Sequence, residues 1–272
     1  MWSLFEPIHA VTYFTPQARE AFEAANLRGF WRGYFAGRAA PLGAIGPAPV
    51  TALFFGFAPS MVTRALPDVW SRATPAESLA ARLAGARASL GPLLRVAGPV
   101  DEAAELLRAA ASAVPTVGRA LAAANAALPW PDDALGTLWH AATILREHRG
   151  DGHVAALLVS GLDGAETGVW RAAIDQRRSY LQPARGWTDE QWAAAAGRLR
   201  ERGWLDETGT ATKAARDAHD EIEDTTDRLS AAPWDHLGEE RTARLREVLY
   251  PLARAARAAL PDETPIGLPV LR

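Results

Sequence analysis

The segment 188–227 constrains the fold of this 272-residue chain more than any other. Thr188 is a favoured helix N-cap, and the two acidic residues that follow it suit the positive end of a helix. Gly203 lies where that helix must end, and Thr208-Gly209 would form the turn of a very short hairpin. A second helix then carries four apolar residues on one face, at Ala215, Ala218, Ile222 and Leu229. The pattern predicts helix, short hairpin and helix, in that order.

Two stretches of the chain, which we call passes, contain similar segments in the same order, and this similarity indicates an internal duplication. Each pass opens with an aromatic segment, at 30–43 and at 138–152, and continues through an apolar stretch to a Thr-capped helix. The two caps are Thr74 and Thr188. Identities between the passes are sparse, so duplication and two unrelated halves both stay open. We predict an N-terminal half, 1–128, and a C-terminal half, 129–272, joined in a mostly α-helical protein.

Several segments resemble known families. HAVTYF (9–14), RGFWRGYFAGRAAPLG (28–43) and LREHRGDGHVAAL (145–157) resemble an actinobacterial group of helix-turn-helix proteins of about this length. Residues 132–258 resemble the MarR-type winged-helix family. The second resemblance implies a dimer-like body with ligand-responsive helix-turn-helix units. With the duplication, it implies two winged-helix halves with short β wings in one chain, a pseudo-dimer that is a monomer or a weak homodimer.

Composition limits the compartment and the chemistry. The chain has no cysteine, which excludes disulfides and thiolate metal sites, and no run of 18 apolar residues. We therefore expect a cytoplasmic protein with no membrane partner. No P-loop, dinucleotide fingerprint or nucleophile-elbow motif is present, and the sequence identifies no cofactor. Glu147, His148, Asp151 and His153 lie within seven residues, but their spacing favours a glycine turn and a solvated edge over a metal site.

Charge argues against a strong DNA interface in the C-terminal half. Residues 1–128 hold 11 basic and 8 acidic side chains, and residues 129–272 hold 18 and 24. The helix after Thr188 opens with two acids, the wing has no basic residue, and 177–187 is longer than a tight helix-turn-helix turn. Weak DNA binding would depend on residues of both halves: Arg64, Arg72, Arg82, Arg87, Gln191 and Arg198.

Aromatic residues favour a small-molecule site instead. Six of them crowd into residues 31–57, near Arg38, whose guanidinium suits a carboxylate or an aromatic face. A structural ion pair of Arg38 with Glu6 or Asp68 is the alternative. We predict a site between the helices 30–43 and 138–148, formed by ten residues: Trp31, Tyr34, Arg38, Phe54, Phe55, Phe57, Trp139, His140, His9 and His153.

Three functions follow from these features. The first is a protein that binds a small apolar or aromatic molecule between its halves, as a sensor or a sequestering, resistance-type protein. The second is a ligand-responsive DNA-binding transcriptional regulator. The third is an enzyme that uses the same cavity, with Arg38, His9, His140 or His153 in polar roles.

Overall fold

A computed structural model describes residues 1–268 and 271, and these residues are mostly helical, as predicted. The first half contains α1 (Trp2–Phe14), α2 (Pro16–Ala24), α3 (Phe30–Ala39), α4 (Pro47–Phe54), α5 (Pro59–Thr63), α6 (Pro75–Leu94), α7 (Val100–Ala111) and α8 (Ala120–Ala126). The second contains α9 (Ala134–Val159), α10 (Gly164–Ile174), α11 (Arg178–Arg185), α12 (Asp189–Glu201), α13 (Lys213–Leu229), α14 (Ala232–Leu237) and α15 (Glu239–Ala258). Short 3₁₀ turns lie at Ala40–Leu42 and Asp68–Ser71.

The two predicted threonine caps both form capping boxes. The Thr74 hydroxyl accepts from the backbone N–H of Glu77, and the Glu77 carboxylate accepts from the backbone N–H of Thr74. Thr188 and Gln191 make the same reciprocal pair at the start of α12. Each box satisfies two backbone donors that a helix end leaves unpaired, so these local sequences start their helices where predicted.

Three apolar clusters form the interior. The largest joins α1, α6, α7, α15 and the first half of α9, so it draws on both halves of the chain. A second cluster is aromatic and lies among α2–α6. The third joins the end of α9 to α10–α13. Because α9 contributes to the first and the third clusters, it connects the main body to the C-terminal helices.

The structure corrects one expectation about α9. Residues 150–152 continue the helix, whereas the sequence favoured a glycine turn there. The Asp151 carboxylate accepts from the backbone N–H of Ala122, 2.9 Å away, in the first turn of α8. A Cβ at Gly152 would lie 2.7 Å from the Arg119 guanidinium. Gly152 therefore lets the Arg119 side chain pack closely against the continuous helix α9.

The helix, hairpin and helix predicted for 188–227 are present as α12, a minimal hairpin and α13. Leu205 and Ala211 form an isolated antiparallel bridge, and the Asp206 carboxylate accepts from the backbone N–H groups of Thr208 and Thr210 at 2.9 Å. In the first half, α6 is longer and leads into α7 through residues 95–99, with no bridge described there. The predicted second wing therefore has no counterpart among the described residues.

Candidate functional site

Helix α3 carries two of the predicted site residues one turn apart, Tyr34 and Arg38. Gly33 and Gly37 lie on another side of this helix, where the lack of a side chain allows a neighbour to approach closely. The Phe22 ring of α2 fills that space, since a Cβ at Gly37 would lie 2.5 Å from Phe22 Cζ. The glycines therefore allow α2 and α3 to pack, whereas Tyr34 and Arg38 lie on the adjacent face of α3, about 100° further around the helix.

Arg38 forms a buried, two-pronged ion pair with Glu147 of α9. Its Nε and Nη2 each lie 3.1 Å from a Glu147 carboxylate oxygen, and its Nη1 donates to the Tyr34 hydroxyl at 3.2 Å. The guanidinium also lies 4.1 Å from the centre of the Phe54 ring. The side chains of Arg38 and Glu147 are only 9% and 2% exposed. This geometry holds α3 and α4 against α9.

The partners expected for Arg38 were wrong, although an ion pair forms. Glu6 lies 3.7 Å from Arg146, and Asp68 lies 2.7 Å from Arg72. The sequence distance explains the error, because Arg38 and its actual partner are 109 residues apart. No local pattern connects residues at that separation.

Glu147 is the centre of a network of buried charges. Arg146 donates to its second oxygen at 2.9 Å, and Trp2 donates to Glu6 at 3.0 Å. Burial alone would raise the pKa of Glu147, but Arg146 and Arg38 outweigh it and hold that pKa well below its usual range. Burial raises the pKa of Glu6, since Arg146 compensates it only in part.

A cavity of about 210 Å³, which we term the central cavity, lies beside this network. Helices α3 and α4 line it on one side and α10 and α11 on the other, and α9 also contributes to its wall. Four arginines line it, and its described lining includes no acidic residue. The aromatic and aliphatic walls are Tyr34, Phe54, Phe55, Val154, Leu157 and Leu181. The cavity thus combines apolar walls with an excess of positive charge.

The backbone is strained at one wall of the central cavity. Phe55 has φ +47° and ψ −61°, and the Gly56 N–H donates to the Phe54 carbonyl at 2.6 Å. This is a γ-turn of the rare, strained kind, and such strain collects at functional sites. A Cβ at Gly164 would overlap the Phe55 carbonyl oxygen. Only glycine lets α10 begin this close to the turn.

The C-terminal segment 261–268, which we term the strap, covers another edge of the cavity. Pro265 and Ile266 line the cavity, and Arg185 Nη2 donates to the Pro265 carbonyl at 2.7 Å. The Arg185 guanidinium also lies 4.6 Å from the centre of the Phe57 ring. Outside the cavity, Glu263 pairs with Arg177. The strap therefore connects α15 to α11.

Five of the ten predicted ligand residues line the central cavity. They are Tyr34, Arg38, Phe54, Phe55 and His153. His153 also contacts Thr226 Oγ1 at 2.9 Å through Nδ1, and burial lowers its pKa to about 4, so it is neutral at pH 7. Glu147 bonds to Arg38 of α3 and Asp151 bonds to the backbone of α8, so the four polar residues of 147–153 do not converge on one point. The described residues contain no group of three or more potential metal ligands.

The other five predicted residues belong to the core and do not line the cavity. His9 contacts Thr143 and Tyr13, each at 3.0 Å, and Trp139 donates to Thr12 at 2.8 Å. These bonds join α1 to α9, so both side chains serve the packing of those two helices. The remaining three pack against aromatic neighbours: Trp31 and Phe57 against each other, and His140 against Trp130.

Sequence reasoning missed Arg146, Arg171 and Arg185, the other three arginines of the central cavity. One signal was available for Arg146. It shares a helical stripe with Gly150, Val154 and Leu157, spaced four, four and three residues apart. The stripe becomes visible only if residues 145–157 are treated as one continuous helix. Arg171 and Arg185 carry no comparable pattern.

The C-terminal helices form a tight helix-turn-helix. The segment 177–187 was expected to be an overlong turn, but it contains α11 itself. The turn between α11 and α12 is then only Gly186, Trp187 and Thr188, with Gly186 in the left-handed region at φ +77°. This length and this glycine are typical of the motif. The Trp187 indole donates to the Gly56 carbonyl at 3.0 Å, which docks the turn on the cavity wall.

Most of the predicted DNA-binding side chains have intramolecular partners. Arg82 is buried and donates to the Gly37 carbonyl and to Asn125, each at 3.1 Å, so its assignment to a DNA surface is wrong. Arg198 contacts Glu166 and Asp163 at 2.7 and 2.6 Å. The others are Arg72 paired with Asp68, Arg87 paired with Asp132 and Asp133, Gln191 in the α12 cap, and exposed Arg64 near Met61.

The fold and the geometry of α11 and α12 together define a mostly helical protein with a helix-turn-helix in its C-terminal half. A family model described as "Helix-turn-helix family" matches residues 1–261. The chain belongs to this helix-turn-helix family. No curated protein and no solved structure matches it. Within the described residues, no helix is both long and apolar enough to cross a membrane.

Proposed function

We propose that this protein binds a small apolar or aromatic molecule in the central cavity, as a sensor or a sequestering protein, and that its DNA binding is weak. The cavity is the observation that carries the proposal. It lies between elements of the two halves, 1–128 and 129–272, and its walls are aromatic and aliphatic side chains with a few polar groups. Ligand sites in proteins typically have this composition.

The size of the cavity suits a molecule with a single ring. A dry cavity of about 150 Å³ holds benzene, and the central cavity is larger, at about 210 Å³. The residues around it belong to α3, α4, α9, α10 and α11, so a bound molecule would contact both the aromatic cluster and the helix-turn-helix. A ligand that orders the strained turn at Phe55 would also act on Trp187, which bonds to the neighbouring carbonyl. This contact gives a sensor a path to α12.

A DNA-binding regulator is the second candidate, and the tight turn between α11 and α12 is the observation that favours it. The exposed side chains of α12 argue against strong binding, because three of them are acidic and only two are basic: Asp189, Glu190 and Glu201 against Arg198 and Arg200. DNA affinity depends largely on basic side chains that neutralise phosphates. In our proposal the two halves form a pseudo-dimer, a monomer in solution, whose C-terminal helix-turn-helix has a reduced affinity for DNA.

A matched pair of substitutions on α9 tests the ligand proposal. Val154→Phe places a ring in the cavity, whereas Val159→Phe adds the same ring where the side chain is 90% exposed. Calorimetric titration would use small aromatic probes, benzoate, benzamide and the slightly larger indole, into the millimolar range, because fragments of this size bind weakly. We expect at least tenfold weaker binding to Val154→Phe and wild-type binding to Val159→Phe.

Two results would contradict this proposal. One is that none of the probes binds the wild-type protein. The other is that both variants bind the probes as the wild type does, which would put the binding site outside the central cavity. Urea unfolding of each variant, followed by tryptophan fluorescence, checks that both are folded before titration.

A further inference from the structure

We propose that the ligand of the central cavity is a small monoanion, a carboxylate with an apolar body, and that Arg185 binds its anionic group in place of the Pro265 carbonyl. This inference rests on the proposed ligand-binding function. It assigns the charge of the ligand and the residue that recognises it, which differs from Arg38, the residue that the sequence favoured.

The charge balance of the cavity distinguishes Arg185 from the other three arginines. Arg38 and Arg146 both pair with Glu147, and Arg146 also pairs with Glu6. These two positive groups are therefore matched by two carboxylates. Arg171 makes a two-pronged pair with Asp175, at 2.8 and 2.6 Å. Arg185 forms an ion pair with no carboxylate of the described residues, so the cavity carries one uncompensated positive charge.

The surroundings of Arg185 make that charge costly. Burial lowers the pKa of Arg185, and the positive charges of Arg38 and Arg146 lower it further, with Tyr34 acting in the opposite direction. A buried charge is stable when it is paired and hydrogen-bonded. One carboxylate in the cavity would supply both the opposite charge and the acceptors.

Arg185 is also oriented for an oxyanion. Its guanidinium packs on the Phe57 ring and donates through Nη2 to the neutral Pro265 carbonyl, and the Tyr34 hydroxyl is a second neutral neighbour. Guanidinium groups bind carboxylates through two parallel N–H donors, and these charge-assisted bonds are stronger than a bond to a neutral carbonyl. A carboxylate would therefore displace the neutral Pro265 acceptor, and the apolar body would lie against Phe54, Leu157 and Leu181.

The pair benzoate and benzamide isolates the charge, because the two molecules share the same ring and nearly the same shape. We expect wild-type protein to bind benzoate at least tenfold more tightly than benzamide, about 1.4 kcal/mol. In Arg185→Gln that preference should fall below threefold, and in Arg185→Lys it should be partly retained. Arg95→Gln, which removes one positive charge from the exposed end of α6, should keep the wild-type preference.

The outcomes separate this inference from the proposed function. If benzoate and benzamide bind equally, in a manner that Val154→Phe blocks, the monoanion is wrong and the cavity proposal stands. If Arg185→Gln is folded and keeps the full preference for benzoate, another residue recognises the anion and the assignment is wrong. If neither benzoate nor benzamide binds, the monoanion is wrong, and the cavity proposal fails as well only if indole does not bind either.

Discussion

Breaking the pair between Arg38 and Glu147 should destabilise the protein far more than breaking a surface pair. Glu147→Gln would leave the Arg38 and Arg146 guanidinium groups buried, with Glu6 as the one remaining acid of their network. Removing one partner of a buried pair typically costs about 3–5 kcal/mol. The matched control is Asp68→Asn, which breaks a pair of half-exposed side chains 2.7 Å apart with Arg72 and should cost less than about 1 kcal/mol.

A double-mutant cycle attributes that loss to the pair itself. We expect Arg38→Met and Glu147→Leu to be strongly non-additive, with a coupling of about 2 kcal/mol or more, because each single change leaves a charge without its partner. Urea unfolding followed by tryptophan fluorescence measures all four proteins. Additive losses below about 1 kcal/mol each would refute the view that this pair joins α3 to α9.

Three further predictions concern the strained turn, a buried histidine and the surface of α12. Gly164→Ala should lower the free energy of unfolding by about 1–3 kcal/mol, since the new methyl group overlaps a backbone carbonyl. In the control Gly197→Ala the new methyl group has no atom within 4 Å, and this change should raise the free energy of unfolding by about 0.5–1 kcal/mol. Equal effects of the two changes in chemical denaturation would contradict this. Burial lowers the pKa of His140 to about 4, so between about pH 6.5 and 4 this histidine is protonated in the unfolded chain but not in the folded protein, and stability falls as the pH drops. Around pH 5, the free energy of unfolding of His140→Leu should therefore fall by about 1.4 kcal/mol less per pH unit than that of wild type. Parallel pH profiles of the two proteins would disprove this. Reversing the charge of Asp189 and Glu190 with lysine should strengthen non-specific DNA binding and steepen its salt dependence in electrophoretic shifts, and tight operator binding by the wild type would overturn the weak-DNA view.

Local signals in the sequence predicted the helices best. Thr74 and Thr188 start helices because a capping box is completed within four residues, so the neighbouring sequence contains all of its partners. The short hairpin between α12 and α13 was predictable for the same reason. Its acceptor, Asp206, lies two residues from Thr208 and four from Thr210.

Tertiary packing decided what local signals could not. Glycines at 150 and 152 lower helix propensity by about 1 kcal/mol each relative to alanine, yet α9 continues through both because its two ends belong to two different cores. The same long-range packing brings Arg119 against Gly152. Because a turn was wrongly predicted at 150–152, the helical face that Arg146 shares with Gly150, Val154 and Leu157 was not recognised as one wall of the central cavity.

The candidate site was predicted in part, for a related reason. Aromatic crowding located Tyr34, Phe54 and Phe55, since these residues are close in sequence as well as in space. The arginines of α10 and α11 come from another part of the chain, and only the fold brings them to the same cavity. Which aromatic residues face the cavity and which fill the core, as Phe57 does, also depends on the relative rotation of helices.

A crystal structure of the protein soaked with benzoate tests the proposed ligand site most directly. We predict one benzoate in the cavity between α3–α4 and α10–α11, its carboxylate on Arg185, and the Pro265 carbonyl displaced from that guanidinium. Benzoate bound only elsewhere on the protein, with the central cavity unchanged at concentrations that saturate binding in solution, would contradict it.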